Sequence, residues 1–388
     1  MNKKVLMVAT TAAMIEQFNK NNIKILNDLD YSVDVAGNWE EGNPISDERL
    51  EAFKKWITDR SGNYYHIPAT RKPSDLKNNI KSINIIVDLI EKNKYEFIHC
   101  HTPIGSVIAR IAAHKTHTKV IYTAHGFHFY KGAPLKNWLI YYPVEKFLSR
   151  WTDCLVTINK EDYNRARNKF YAKRVEYIPG VGVDTQKFYR ESINGAMTEG
   201  DHSNQVVTRQ RVRKELGISF DRTVILSVGE LNKNKNHEMI IRALSGRNDI
   251  SYVIVGKGER EEYLNKLATR LNVNIQLMGF RSDVKDFYAM ADLFAFPSFR
   301  EGLSVSLMEA MASGLPVVCS NIRGNTDLID ENGGVLFEPN SVNSIKRAIE
   351  EILADSYREK MGKYNLNKIK NFDSSIVMED MKRYYERL

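Results

Sequence analysis

Residues 293–320, LFAFPS-FREGLSVSLMEAMASG-LPVVCS, contain in order a short apolar run, a glycine turn, a helical pattern and a second apolar run. Short apolar runs of this kind are the form strands take when a parallel sheet buries both their faces. Between the two runs, Leu303, Val305, Leu307, Met308, Met311 and Ala312 recur at helical spacing. Ser304 is suited to cap the start of that helix, Gly314 to take the left-handed position past its end, and Pro316 forbids continuation. Strand, turn, helix and strand in that order make one unit of a doubly wound α/β sheet. A helix beginning just after Gly302 presents free backbone N–H groups and the positive end of its dipole, which suits phosphate. Glu301 precedes the helix and Glu309 lies more than one turn down it, so at about 1.5 Å per residue their carboxylates stand roughly 10 Å apart. A nucleoside diphosphate with sugar at one end and ribose at the other has that reach.

The same alternation of apolar runs and helical patterns extends in both directions from this stretch. Upstream it begins with KVLMVAT, a helix over 15–28 and SVDVAG, and continues after a polar and aromatic stretch over 38–72. A helix over 76–92, FIHCHTP, a helix over 105–114, KVIYTAHG, a helix over 135–151 and CLVTIN complete a first half. RVEYIPGVGVD carries the glycine and proline punctuation of a linker, and 190–213 is polar enough to read as an exposed insertion. The pattern then restarts with TVILSVGEL, SYVIVGKG, IQLMGF, LFAFPS, PVVCS and GVLFE. Two halves of this type predict two parallel sheets flanked by helices.

Composition bounds the function. A chain of 388 residues holds two ordinary domains, and 43% hydrophobic content with 10% aromatics excludes disorder. The net charge of +8 predicts an anionic partner without choosing among nucleic acid, acidic membrane and phosphorylated substrate. The basic residues are dispersed rather than striped, and no nucleic-acid-binding motif is present. Three cysteines, Cys100, Cys154 and Cys319, all in or beside apolar runs, read as buried thiols of a reducing compartment. Lys3 and Lys4 before VLMVATTAAMI imitate a short signal peptide, but interrupting threonines and the following Glu16 favour a first buried strand. No apolar run approaches the roughly 18 residues needed to span a bilayer. The expected location is cytoplasmic, with peripheral attachment to the inner face of the cell membrane open.

PSFREGLSVSLMEAMASGLPVV resembles, nearly residue for residue, the signature of the family 4 glycosyltransferases, retaining enzymes of the two-Rossmann GT-B architecture. The likeness is nearest to the bacterial capsular and exopolysaccharide glycosyltransferases. It implies two doubly wound Rossmann-like domains facing across a cleft: an acceptor domain over 1–178, a nucleotide-sugar domain over 179–372, and a final helix over 373–388 crossing back to the first. By resemblance Glu301 touches the donor sugar, Glu309 holds the ribose hydroxyls, and the backbone of Gly302 and Leu303 binds the diphosphate.

Other motifs fit the same implied site. In GELNKNKNH, residues 229–237, the family shows an arginine directly after the glycine and a lysine five residues on, both on the diphosphate. Lys235 is the lysine, but Glu230 stands where the arginine should be; either Lys233 supplies the charge or Glu230 pairs with a neighbouring cation. The loops VIVGKGER and IQLMGFRSDV carry Gly256, Lys257, Gly279, Phe280 and Arg281, which the resemblance assigns to the nucleotide base. A lone G-x-G without a third glycine and a following acidic residue argues against a dinucleotide enzyme. In YTAHGFHFYKG, the resemblance places His125 against the donor sugar. His99 and His101 share a strand face with Cys100 turned away, which gives no zinc geometry. Asp28-Leu29-Asp30 copies the metal-binding motif of another transferase fold but reads as a helix-to-strand turn.

The expected function is therefore transfer of a sugar from a nucleotide-sugar donor, a UDP sugar, to a glycan acceptor carried on polyprenyl diphosphate. No metal and no cofactor are expected beyond the donor substrate. The basic aromatic run over 130–150 suits a membrane surface and a lipid diphosphate, and equally an ordinary helix packed on its sheet. A non-catalytic donor-binding subunit of a polysaccharide assembly complex is the rival reading, and Glu230 is its one support.

Overall fold

The computed structural model describes residues 3–189, 202–354 and 358–388. The chain divides into two compact units, Met1–Val181 with Ile376–Leu388, and Gly182–Ser375.

In the first unit the strands are β1 (Lys3–Thr11), β2 (Tyr31–Asn38), β3 (Tyr64–His66), β4 (Phe97–His101), β5 (Lys119–Ala124), β6 (Cys154–Thr157) and β7 (Arg174–Tyr177). They form one parallel sheet in the order β3-β2-β1-β4-β5-β6-β7. The order reverses between β1 and β4, so the loops leaving these two strands part and open a crevice at their carboxyl ends. Helices cover the sheet, among them Leu76–Asn93, Pro103–Thr116 and Leu135–Leu148. The final helix, Ser374–Glu386, buries Val377, Met381 and Tyr385, and the Tyr385 ring stacks 5.9 Å from Phe97 of β4.

Two differences from the sequence reading lie here. The stretch over 38–72 holds the helix Asp47–Thr58, capped by Ser46 and burying Leu50, Phe53 and Ile57, and then the edge strand β3. The expected linker RVEYIPGVGVD starts as a strand: Arg174–Tyr177 pairs with β6 at the other edge. Asp28-Leu29-Asp30 is the expected turn between a helix ending at Asp28 and β2.

In the second unit β8 (Thr223–Val228), β9 (Ile250–Val255), β10 (Ile275–Leu277), β11 (Leu293–Phe296), β12 (Val317–Ser320) and β13 (Gly334–Phe337) form a second parallel sheet. Its order is β10-β9-β8-β11-β12-β13, with the switch between β8 and β11. β8, β9, β11 and β12 are buried over nearly their whole lengths, as their unbroken apolar runs require. The helix Val305–Ala312 is capped by Ser304, whose Oγ accepts from Leu307 N at 3.4 Å. Gly314, at φ +65°, makes the left-handed exit that a side chain would strain.

Of the expected insertion over 190–213, residues 190–201 lie outside the described residues. The rest belongs to the helix His202–Glu215, which is not a solvated excursion. Its Arg213 is fully buried and donates to Asp292 Oδ2 at 2.6 Å, while Arg209 donates to Asp292 Oδ1 at 2.6 Å. A buried guanidinium with a paired carboxylate pins this helix to the sheet.

Candidate functional site

The switch point of the second sheet gathers most of the residues named above. Leaving β8, the chain makes the loop Gly229–Asn236 and enters the helix His237–Ala243; leaving β11, it makes the turn through Glu301 and Gly302. Two asparagines, Asn234 and Asn236, fasten the first loop to its surroundings, and a third, Asn232, braces it from within. Asn234 Nδ2 donates to Arg300 O at 3.0 Å and Phe299 N donates to Asn234 O at 2.8 Å. Asn236 Nδ2, fully buried, donates to Pro297 O and Pro339 O, each at 3.0 Å. Asn232 Oδ1 accepts from Lys235 N at 3.0 Å. The alternation N-K-N-K-N is thus a zip in which the asparagines bind backbone and the lysines are left to project.

Lys235 projects across the switch. Its ammonium donates to Glu301 Oε1 at 2.8 Å and lies 5.0 Å from the centre of the Phe296 ring. Both side chains are four-fifths buried or more. Glu301 is held again through its carbonyl, which accepts from Arg323 Nε and Nη2 at 3.3 Å each. Arg323 can reach because Gly324 lies flat against the turn: a Cβ on Gly324 would sit 2.2 Å from Gly302 O. The turn before the helix is therefore clamped from both sides by cations.

Glu309 lies further down the same helix, largely buried, and Tyr288 OH donates to its Oε2 at 2.9 Å and to Ser306 O at 3.0 Å. Burial raises the carboxyl's pKa, while the tyrosine hydrogen bond and the Lys187 charge oppose that rise. Its other oxygen, Oε1, is not hydrogen-bonded among the described residues.

Gly256 and Gly279 are bridged, Gly256 N donating to Gly279 O at 2.9 Å, and the loop after β8 joins them through Leu231 N on Lys257 O at 2.9 Å. Lys257 and Phe280 are exposed, Phe280 by 70%. Arg281 forks onto Asp283 at 2.8 and 2.5 Å, so its guanidinium is already committed.

The expectation for Glu230 needs correction. Glu230 is exposed and its Oε2 accepts from Asn232 Nδ2 at 2.7 Å; its partner is an amide, not a lysine. It reaches Lys235 only through Asn232 and the backbone. Lys233 is exposed, with no ion pair among the described residues, and does not join the Lys235–Glu301 contact. Tyr288, Asn232 and Arg323 were not foreseen. Tyr288 and Arg323 act from distant stretches with no motif of their own, and Asn232, though inside the loop 229–237, acts only through the backbone of Lys235.

His125 belongs to the first unit, where it follows β5. Its Nε2 lies 3.2 Å from His101 Nδ1, and the rings are tilted at 5.4 Å. The His99 ring lies 4.1 Å from that of His101, tilted by 46°, and is bonded to Tyr385 OH and Thr123 Oγ1, each at 2.8 Å. Burial lowers His125 to about 4 and His99 to about 3, so both imidazoles are neutral at ordinary pH. His101 is also held well below its ordinary value by burial, and its Nε2 is buried without a partner. At this sheet's switch point, Thr10 and Thr102 join hydroxyls at 2.7 Å and Gly105 N donates to Thr10 Oγ1 at 3.1 Å. Beside them lies a cavity of about 240 Å³ lined by Arg71, Ile104, His128 and Tyr141 among others. Among the described residues, no helix is long and apolar enough to cross a membrane.

Known proteins are similar to this chain in sequence and in fold. The family model described as Glycosyl transferase 4-like matches residues 4–159, and that described as Glycosyl transferases group 1 matches 208–368. The chain is similar to a putative glycosyltransferase, EpsD, of Bacillus subtilis, 33% identical over 99% of this chain and 97% of that one. It is also similar to the UDP-Gal:alpha-D-GlcNAc-diphosphoundecaprenol alpha-1,3-galactosyltransferase of Escherichia coli, 29% identical over 86% of this chain and 83% of that one. The crystal structure of Anabaena Alr3699/HepE in complex with UDP and glucose superposes with a TM-score of 0.75 over the whole of both chains at 17% identity, a likeness of fold. Two parallel Rossmann-like sheets and a relative matched from end to end place the chain plainly: it belongs to the group 1, family 4-like glycosyltransferases of GT-B fold, alongside those of bacterial polysaccharide biosynthesis.

Proposed function

We propose that the chain is a retaining glycosyltransferase that moves a hexosyl or N-acetylhexosaminyl group from a UDP sugar to a glycan on polyprenyl diphosphate, in capsular or exopolysaccharide synthesis. The observation that carries the reading is the Lys235–Glu301 pair at the switch point, with Glu309 further along the same helix. A diphosphate leaving group gains charge as its bond to the sugar breaks. Lys235 and the N–H groups of Gly302 and Leu303 are suited to that charge, in a largely buried setting where each interaction counts for more than in water. Glu301, pinned at carboxylate and carbonyl, is suited to the sugar; Glu309, steadied by Tyr288, to the ribose. Gly256, Lys257, Gly279 and Phe280 are suited to the base, and Arg281 acts there only if it leaves Asp283. Neutral His125 is suited to a sugar hydroxyl.

The relative from Escherichia coli is named for UDP-galactose and a diphosphoundecaprenol acceptor, which supports donor and acceptor class alike. With lysine and backbone on the diphosphate, the reaction runs without a metal. The acceptor's proton passes to the departing phosphate on the face from which it leaves, so the anomeric configuration is kept. The chain works on the cytoplasmic side of the cell membrane.

The test is release of UDP by the pure protein from UDP-glucose, UDP-galactose and their N-acetyl forms, with and without EDTA. Release from one donor, unaffected by EDTA, is expected. Tight binding without release would favour the donor-binding subunit instead, and loss to EDTA restored by manganese would end the metal-free reading.

A further inference from the structure

At the root of the loop Gly229–Asn236, four groups of the second unit form a buried relay. Ser227 of β8 donates through Oγ to Ala295 O of β11 at 2.5 Å. Tyr252 OH of β9 lies 2.9 Å from Ser227 Oγ and 3.1 Å from His237 Nδ1. Ser227, Tyr252 and His237 are all buried, and His237 Nε2 is buried without a hydrogen-bond partner.

Counting protons fixes the direction of the relay. A carbonyl only accepts, so the single Ser227 proton goes to Ala295 O. Ser227 Oγ therefore accepts from Tyr252, whose one proton is then committed. Burial holds that phenol above its ordinary pKa, so the proton stays on it. Tyr252 O is left to accept, and its donor is His237 Nδ1–H. Burial first, and then the charge of Lys235, lower His237 to about 3, so the ring is neutral and carries one proton. The ring is thus the Nδ1–H tautomer, with a lone pair on Nε2.

The two ends of the relay bracket Lys235. At one end His237 follows Asn236, whose amide is fixed to Pro297 O and Pro339 O. At the other, Ala295 precedes Phe296, whose ring centre lies 5.0 Å from the Lys235 ammonium. Between them the lysine stem crosses Gly229, where a Cβ would sit 3.3 Å from its Cε. A buried network with one proton arrangement holds its members in one place. A proton on Nε2 would instead be available to the backbone of Gly229 and Glu230, which favours a charged ring. That bond would draw the ring toward the loop that carries the lysine.

We infer that Ser227 and Tyr252 set the tautomer of His237, and that His237 is thereby a positioning residue for Lys235. The effect on turnover rests on the function proposed above; the relay and its hold on the loop do not.

The experiment uses the full chain with its imidazole nitrogens isotopically labelled and read by NMR, the His237 signals being identified by their absence from His237→Gln. In the parent, Nδ1 should be protonated and Nε2 not. Ser227 lies two hydrogen bonds from His237, yet Ser227→Ala frees the Tyr252 proton for His237 Nδ1, so the ring proton should move to Nε2. Tyr252→Phe removes the acceptor from Nδ1 and should move it too; Ser227→Ala deletes one hydroxyl and keeps the test open should Tyr252→Phe unfold. In both variants kcat for UDP release should fall about tenfold, while UDP affinity by calorimetry stays within about twofold. Hydrogen exchange over 229–236 should quicken about fivefold, with β12 unchanged. A parent ring protonated at Nε2, or a Ser227→Ala ring still protonated at Nδ1, would overturn the inference. So would a moved proton that leaves both kcat and loop exchange as they were. A parent that releases UDP from no donor removes the proposed function alone, because tautomer and loop exchange are read without turnover.

Discussion

At the second sheet's switch point the two parting loops are joined by charge, Lys235 to Glu301 at 2.8 Å. At the first sheet's they are joined by neutral hydroxyls, Thr10 to Thr102 at 2.7 Å, and the nearby histidines are uncharged. The topology is the same in both, and so is the crevice it creates. What differs is what the loops put into it. A charged crevice suits a group whose own charge changes during reaction, and a neutral one, with a cavity beside it, suits the orientation of hydroxyls. The comparison teaches that a sheet's strand order gives the place of binding, and that loop chemistry decides what is bound.

The sharpest way to break this comparison is to remove the charge from the second crevice. Lys235→Ala should lower kcat by about 10²- to 10³-fold, because a cation matched to a growing charge is worth most in the transition state. Donor affinity, measured by calorimetry, should fall much less. Equal losses in the two would reduce Lys235 to a ground-state binder. Lys235 also neutralises Glu301, so Glu301→Gln in the same background should restore part of the lost donor affinity.

Acid should separate the units next. His99 and His125 have folded pKa values of about 3 and about 4, below the roughly 6.5 of an unfolded histidine. Such groups give their full stability above about pH 6.5 and lose it as pH falls toward the folded values, by about 1.4 kcal/mol per pH unit for each imidazole. His101 shifts in the same direction. In the second unit His237 alone among the described histidines behaves this way, at about 3. Hydrogen exchange at about pH 5 should therefore deprotect peptides of β4 and β5 more than those of β8 and β9. Equal loss in both would show that the imidazole ladder is not what makes the first unit acid-sensitive.

A smaller effect is expected where Tyr288 steadies Glu309. Tyr288→Phe keeps the ring and removes one hydrogen bond to a charged acceptor, so donor affinity should fall by about 1.5–3 kcal/mol at most. Glu309→Ala should cost at least as much and leave the fold intact. If the phenylalanine variant binds donor as well as the parent, Tyr288 belongs to the packing alone.

How much of this was open to reading from sequence follows from the range of the forces involved. Residues 293–320 were legible down to the Ser304 cap and the Gly314 exit, because capping, turn chemistry and hydrophobic period act within a few positions. The helix Asp47–Thr58 was missed: Ser46 caps it and Leu50, Phe53 and Ile57 have the right spacing, but its many charges and the aromatic residues around it hid the pattern. Arg213 and Arg323 were not legible. One lies in a basic run whose acid, Asp292, is 79 residues away; the other grips a carbonyl 22 residues away. A cation's partner is a property of the fold, and neighbouring letters do not announce it. The resemblance to a family supplied the candidate roles, and it is at Glu230, where the chain departs from that family, that the roles were least readable.

Glu230 carries the smallest expected effect and the finest test of the comparison. Its carboxylate is exposed and bonds to Asn232, and Asn232 in turn fixes Lys235 N. Exposed hydrogen bonds of this kind contribute little, about 0.5–1.5 kcal/mol, and one acting through a second residue should contribute the lower end. Asn232→Ala should therefore slow turnover more than Glu230→Ala, which should change kcat by no more than about twofold to threefold. Lys233→Ala should do less still, because its ammonium faces solvent. Glu230→Arg is the informative exchange. The loop is fastened by Asn234 and Asn236 whether or not Glu230 is present, so the swap should leave it folded and place a second cation beside the crevice. Donor binding should then tighten, while turnover stays within a few-fold, because in the proposed function Lys235 already meets the charge that develops. If instead arginine at this position raises kcat as strongly as Lys235→Ala lowers it, the crevice of this chain is short of one cation, and the single Lys235–Glu301 bridge is not the complete device it is taken to be here.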